Sequence, residues 1–462
     1  MPDFVDIPVE LYEEILAHLI KASHLASASL VNKTFYSFAT PLLYEQIYIY
    51  HWHGQSKVRV IKLFGTLSRC PHLAKYVKKL VLTGPPKIVA ADSEDLFTLG
   101  LRNCKDLRAC TWTRDGALTS GVLEALQYCS LLSELEINGR SEYNYRPDLL
   151  RGFRRLRHIT LIMPDAGVVN QLQSWMSYTG DNLRRLTLIC KASPLINDSM
   201  LDLLAPHLTQ LEHFSLVGCP KVTHKGMWDV ISKNMHGIRS LGLEGLSTRF
   251  DMDAFASLCS AHQTLAHLSS ITLTVNQHIP IERFTSDTLS LLANCPLERV
   301  HIYSTGVVFE SSATDEFCLS LIATHGAQLR RFAVYKMILS MRAIDATCEL
   351  CPQLEQLFVV VEKGSLMSLA SSLAKAPQLR SVHVNFPQEA NTPIESEFIE
   401  AGEALQVVAQ CGPALRQFGC NTKVWQVERR IEKKADGSDA TRTYLGPYEK
   451  LEVPEQFLVV RA

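Results

Sequence analysis

The chain has 462 residues, 47% of them hydrophobic, and its 46 Lys and Arg nearly cancel 47 Asp and Glu for a formal net charge of −1. This composition supplies a large core and removes the electrostatic case for a dedicated nucleic-acid binder, although a local patch remains open. No stretch is apolar enough to span a bilayer, and the acidic opening Met1-Pro2-Asp3-Phe4-Val5-Asp6 does not read as a secretory signal. Thirteen cysteines, an odd number without such a signal, point to reduced thiols in the cytosol or nucleus.

Taken in chain order, Ile7-Pro8-Val9-Glu10-Leu11 leads into Leu11, Ile15, Leu16 and Leu19 at helical spacing, which predicts a short amphipathic helix. Ser23 is placed to cap a second helix carrying Leu25, Ala28, Leu30 and Val31. Asn32 is placed to cap a third with Phe35, Tyr36 and Phe38, and Pro41 to end it. Three short helices in about forty residues cannot bury so many large apolar groups against one another, so a surplus face should remain. A helical cap packed on the following structure is the alternative.

The segment from Ile7 to Tyr44, with Leu30-Val31-Asn32-Lys33-Thr34-Phe35 at its centre and Leu42-Leu43-Tyr44 at its close, resembles an F-box, particularly the form common in fungal F-box proteins. It departs from that pattern in having Phe35 where the family often has Trp, Lys33 where it often has Arg, and Ile7 in place of the more usual Leu before Pro8. The resemblance implies docking to the Skp-type adaptor, and through it the cullin scaffold, of a ubiquitin ligase. Ile7, Pro8, Leu11, Ile15, Leu16, Leu30 and Val31 would be the adaptor contacts.

From Val77 onward one phrase, Leu-x-x-Leu-x-Leu, returns thirteen times. It reads Leu107-Cys110-Trp112, Leu183-Leu186-Leu188 and Leu297-Val300-Ile302 among others, and ends with Leu415-Phe418-Cys420. Twelve steps from Val77 to Leu415 give a mean period of about 28 residues, within the leucine-rich-repeat range. Alternation at the end of each phrase predicts a short strand with one face in the core. Amphipathic stretches between the strands start at Ser93, Asp198-Ser199 and Thr223, predicting one helix per unit. Leu211 to Thr223 resembles the cysteine-containing form of the repeat, in which Cys219 would cap the turn after the strand. The expected fold is therefore α/β: a leucine-rich-repeat solenoid, horseshoe-shaped, with parallel strands on the concave face and helices outside, behind an F-box-like three-helix module. The expected division is 1–50 for the module, 51–69 for a linker and first helix, 70–423 for the repeats and 424–462 for a capping hairpin and tail. The hairpin would turn at Asp436-Gly437, and the tail includes Pro454 to Val460. The 36-residue step from Leu379 to Leu415 suggests a loop insertion.

No phosphate-cradling, dinucleotide-binding, acyl-transfer or zinc-protease string occurs, so no catalytic role, cofactor or metal is expected. Cys348-Glu349-Leu350-Cys351 lacks a second ligand pair, and His51-Trp52-His53 lacks a third ligand. Along the strands, the positions alternating with core leucines face outward. In the early repeats they are small or acidic, as at Glu134, Glu136, Thr160, Thr187, Ser215 and Ser240. Later they become Arg299, His301, Tyr303, Arg331, Tyr335, Phe358, His383 and Asn385, a mixture suited to holding an unknown target protein through an acidic or phosphorylated segment. The sequence thus points to the substrate-receptor subunit of a Skp-cullin-F-box ligase, without nucleic-acid or membrane binding. A non-ligase repeat scaffold is the main alternative, and a repeat-type regulator of a small GTPase would leave the N-terminal helices unexplained.

Overall fold

In the computed structural model, residues 7–87, 91–275, 280–304, 309–310, 312–387, 399–433 and 438–449 are described. The expected Asp436-Gly437 turn, the Pro454 to Val460 tail and most of the insertion before Leu415 lie outside them. The chain divides into two compact units, one chiefly of residues up to Ile196 with Asp202–Leu211, the other chiefly of Asn197–Leu201 and Glu212–Tyr448.

The first unit opens with three helices, α1 (Leu11–Ala17), α2 (Ala22–Ser29) and α3 (Lys33–Glu45). Asn32 caps α3 by accepting a hydrogen bond from the Phe35 amide at 2.9 Å. Two expectations are corrected here. Lys21, not Ser23, occupies the N-cap of α2 and makes no side-chain cap bond. Pro41 lies inside α3, which runs four residues further to Glu45, because Leu42 and Leu43 pack on the module core. A strand follows that periodicity did not reveal, β1 (Gln46–Ile49), pairing in parallel with β2 (Lys79–Leu82). The helical module is thus joined directly to the repeat sheet. Between β1 and β2 lie α4 (Ser56–Arg69) and α5 (Pro71–Ala74), and the sheet continues through β3 (Ala109–Trp112), β4 (Glu134–Asn138), β5 (His158–Ile162) and β6 (Arg185–Ile189). The helices α6 (Ala91–Asn103), α7 (Ser120–Gln127) and α8 (Ala166–Thr179) return the chain between strands.

The second unit repeats the arrangement with β7 (His213–Val217), β8 (Ser240–Glu244), β9 (Ser270–Val275), β10 (Arg299–Ser304), the two-residue β11 (Phe309–Glu310), β12 (Arg331–Ile338), β13 (Gln356–Val360), β14 (Ser381–Asn385) and β15 (Gln417–Cys420). All pair in parallel; β10 pairs with β9 and β12, and β11 pairs with the end of β12. Then the direction reverses, as β16 (Lys423–Lys433) runs antiparallel to β15 and β17 (Asp439–Pro447) antiparallel to β16. Arg429 on β16 donates to the carbonyls of Gly412, Pro413 and Leu415, fixing the hairpin to the turn before β15.

Each of the thirteen sequence phrases begins a strand, and its leucine-type residues form the core: Leu80, Ile137, Leu161, Leu188, Leu216, Val300, Leu357 and Val384 are all fully buried. This is the leucine-rich-repeat fold, with parallel strands on one side of each unit and helices on the other. Burial of these rows removes apolar area from water at ~25 cal/mol per Å2, shared between neighbouring repeats rather than closed within one. The turn residue ahead of each strand locks onto the preceding repeat: the Arg108 amide donates to Lys78, Arg157 to Ser133 and Arg184 to Arg157, at 2.7–2.8 Å.

Helix caps are also tied across repeats. Thr223 caps the helix His224–Ser232 while its own amide and hydroxyl both donate to Asp198, at 2.7 Å each. Asp165, the N-cap of α8, accepts from the Val168 amide and from Ser141 and Glu142 of the preceding repeat. Cys219 is fully buried, and its thiol donates to the Val217 carbonyl at 3.6 Å.

Candidate functional site

Two surfaces carry the residues singled out by the sequence. On the first, Leu16 and Leu25 form the centre of the three-helix module with Ala39, surrounded by Leu19, Ala28, Phe35, Phe38, Leu42 and Leu43. Tyr12 closes one side, edge-on to Phe35 at 5.3 Å and stacked with Phe38 at 6.0 Å. This small core consumes about half of the apolar groups. Leu30 remains 85% exposed and Val31 63%, with Leu11 and Ile15 each more than 40% exposed; Pro8 is exposed and Ile7 half-buried. Leu16 is the exception among the seven expected adaptor contacts. At 3% exposure it cannot meet a partner, because the helical spacing that puts Leu11 and Ile15 outside turns the next residue inward.

The second surface is the strand face of the second unit. Register aligns Arg299 with Arg331, His301 with Ala333 and Tyr303 with Tyr335, then Ala333 with Phe358, Phe358 with His383 and His383 with Gly419. A ladder of rings results. His301 lies 5.1 Å from Tyr335, Tyr335 6.4 Å from Phe358, and Phe358 6.4 Å from His383, while the Arg331 guanidinium sits 5.0 Å over Phe358. The ladder fills its own gaps. Tyr303, Phe358 and His383, expected as target contacts, are only 8%, 3% and 2% exposed, which corrects that reading. For Phe358 and His383 the physical cause is a small register partner: with strands ~4.8 Å apart, Ala333 and Gly419 leave room for the rings beside them. Tyr303 reaches across β9 to donate to Glu244 at 2.6 Å, and burial and that carboxylate both push its phenol upward. Burial lowers His383 to about 4, so its ring is neutral, and its Nε2 proton is directed at the Asn421 carbonyl 3.0 Å away. Of the eight strand-face residues, Arg299 is exposed and His301, Arg331, Tyr335 and Asn385 are half-buried.

Cys348 lies on the helix Met341–Leu350 and Cys351 at its C-cap, and burial pushes each up to about 12, keeping them protonated. His51 Nδ1 lies 3.3 Å from the Thr83 hydroxyl, and Trp52 stacks on Tyr50 at 4.7 Å. Among the described residues no group of three or more His, Cys, Asp or Glu is arranged to hold a metal ion, and no helix is long and apolar enough to cross a membrane.

No protein-family model and no curated protein matches the chain. Solved structures similar to it include the leucine-rich repeat-containing protein LegL7 from Legionella pneumophila, with a TM-score of 0.36 and 10% identity over 64% of this chain and 89% of that one. A second is a chain of the Rad7 and Elc1 complex in yeast, with a TM-score of 0.43 and 13% identity over 85% of this chain and 97% of that one.

Proposed function

We propose that this chain is the non-catalytic substrate-receptor subunit of a Skp-cullin-F-box type ubiquitin ligase, acting in the cytosol or nucleus. One observation carries the reading: the N-terminal helices keep Leu11, Ile15, Leu30 and Val31 in water although Leu16 and Leu25 have already filled the module core. Large apolar groups left exposed on one small module mark a partner site, and their order along the chain resembles that of an F-box. The partner is the Skp-type adaptor. The repeats hold a target protein, with Arg299, His301, Arg331 and Tyr335 as the accessible part of the strand face. The work of such a subunit is proximity: it raises the effective concentration of the target beside the conjugating enzyme without itself making or breaking a bond.

Co-expression with an Skp-type adaptor tests this. The wild-type chain should co-purify with the adaptor, and the double variant Leu30→Glu, Val31→Glu should lose it. Two anchors together should be worth more than about 2 kcal/mol, roughly a thirtyfold loss of affinity. Equal adaptor recovery from both proteins would leave only the scaffold reading.

A further inference from the structure

The near-zero net charge of the chain hides a segregated basic surface in the first unit. It lies along the rim where the turns enter the strands. Strands β2 to β6 run in register, so Lys79, Ala109, Glu134, His158 and Arg185 form one row, with Lys78, Arg108, Ser133, Arg157 and Arg184 in the row ahead of it. Charge gathers at the two ends. Lys75, Lys105 and Arg108 are exposed at one end, and Arg154, Arg155, Arg157 and Arg185 at the other. Between them, beside Glu134, the rim exposes two large apolar side chains. Tyr128 is 68% exposed and Leu131 48%, and Leu131 occupies the place in its turn that Asp106 and Arg155 hold in the adjoining ones.

The rim is also organised by cation-aromatic contacts between successive repeats. The Arg102 guanidinium lies 4.9 Å from the Tyr128 ring centre and that of Arg154 5.0 Å from Tyr178. These contacts hold long side chains in place before any partner arrives, lowering the entropy lost on binding. The positive field is felt locally. Glu134 donates nothing and accepts from His158, whose Nδ1 is 3.2 Å away, and that bond with the charges of His158, Lys79 and Arg185 holds its carboxyl below the usual range against the opposing effect of burial. Attraction of basic groups to helix C-termini accounts for Arg102 in the last turn of α6, but not for Arg108, Arg155, Arg157 and Arg185, which lie in turns or on the strand.

We propose that this rim is a docking site for an acidic segment of a partner protein, an apolar side chain seated at Tyr128 and Leu131 with carboxylates on either side. The row from Lys79 to Arg185 covers four strand spacings, ~19 Å, which about six residues of extended peptide span. A polynucleotide fits less well. Its evenly repeated phosphates have no use for an exposed leucine at the centre, and Asp106, Glu134 and Asp181 interrupt the cationic row. Arginine and tyrosine around an apolar centre, with charges at the periphery, is the composition of a protein-binding hot spot.

The site lies on the repeats and does not depend on the adaptor reading. A fluorescein-labelled 15-residue peptide of Glu and Asp with a central Leu-Phe pair should bind the full chain, more weakly at 200 mM salt than at about 50 mM. Arg154→Glu, Arg155→Glu, Arg157→Glu together should weaken it at least about tenfold, and Leu131→Ser should do so separately. Replacing the central pair of the peptide by Ser should weaken binding to the wild type but not further weaken binding to Leu131→Ser. The Leu30→Glu, Val31→Glu protein should bind the peptide as the wild type does. All altered side chains are exposed, and unchanged circular-dichroism melting confirms folding. No peptide binding, loss of binding in the Leu30→Glu, Val31→Glu protein, or tighter binding of a 20-mer oligothymidylate that ignores Leu131→Ser would each overturn the proposal.

Discussion

The imidazole of His383 occupies the space that a side chain at Gly419 would need: a Cβ placed there would lie 2.0 Å from His383 Nδ1. The two residues are register partners on β14 and β15. The absence of a side chain at Gly419 therefore leaves room for the His383 ring at the end of the ladder.

Gly419→Ala should consequently destabilise the second unit by about 1–3 kcal/mol, the usual cost of overfilling a packed site. Urea unfolding would measure it. Because the clash is with one ring, His383→Ala in the same chain should recover most of the loss; equal losses in the single and double variants would show that the backbone, not the imidazole, is the obstacle.

Acid should loosen the same region. His383 is held neutral by burial, with a folded value of about 4 against about 6.5 when unfolded. Above pH 6.5 neither state binds the proton. As pH falls from 6.5 towards 4 the unfolded chain takes it up while the folded one does not, so stability drops by on the order of 3 kcal/mol across that window. His383→Gln should flatten the pH dependence of the urea midpoint between 6.5 and 4; an unaltered slope would assign the effect elsewhere.

Asp165 ties two repeats together. Burial opposes its charge, but the amides of Val168, Glu142 and Ser141 and the Ser141 hydroxyl hold its carboxyl below the ordinary value. Its contribution is therefore present above the unfolded value near 4 and lost as pH falls through the folded one. Asp165→Ala should cost about 1–2 kcal/mol at pH 7, in line with loss of a helix cap. Amide exchange should rise at Ser141, Glu142 and Val168 before it rises elsewhere in the unit.

The buried and exposed leucines of the N-terminal module should separate cleanly. Leu16→Ala should lower stability by about 2–4 kcal/mol by opening a cavity. Leu30→Ala should change melting by less than about 0.5 kcal/mol, since that side chain is already in water. A stability loss at Leu30 as large as that at Leu16 would mean the chain itself covers it.

Periodicity alone determined the repeat fold of this protein. A strand's faces alternate with period two, so Leu80, Leu186 or Phe418 could be assigned to the core from spacing, and Asn32 and Thr223 to their caps from the orphan amides that follow them. A surplus of apolar groups in the first helices was likewise legible as a count of large side chains against available core. Which of them stay outside was decided by tertiary packing, since Leu16 and Ile15 are neighbours in sequence and differ only in the side of α1 that meets Leu25 and Ala39. The strand face followed the same division. Alternation puts Tyr303, Phe358 and His383 on the side away from the leucines, but their access to water depends on the strands beside them, contributed by residues about thirty positions away. The basic rim was invisible for a related reason: charges that cancel over 462 residues are sorted into one edge only when register sets Lys79 and Arg185 in one row across five strands. Local pattern fixes which elements form, whereas exposure and electrostatic potential are sums over neighbours in space that a linear string does not order.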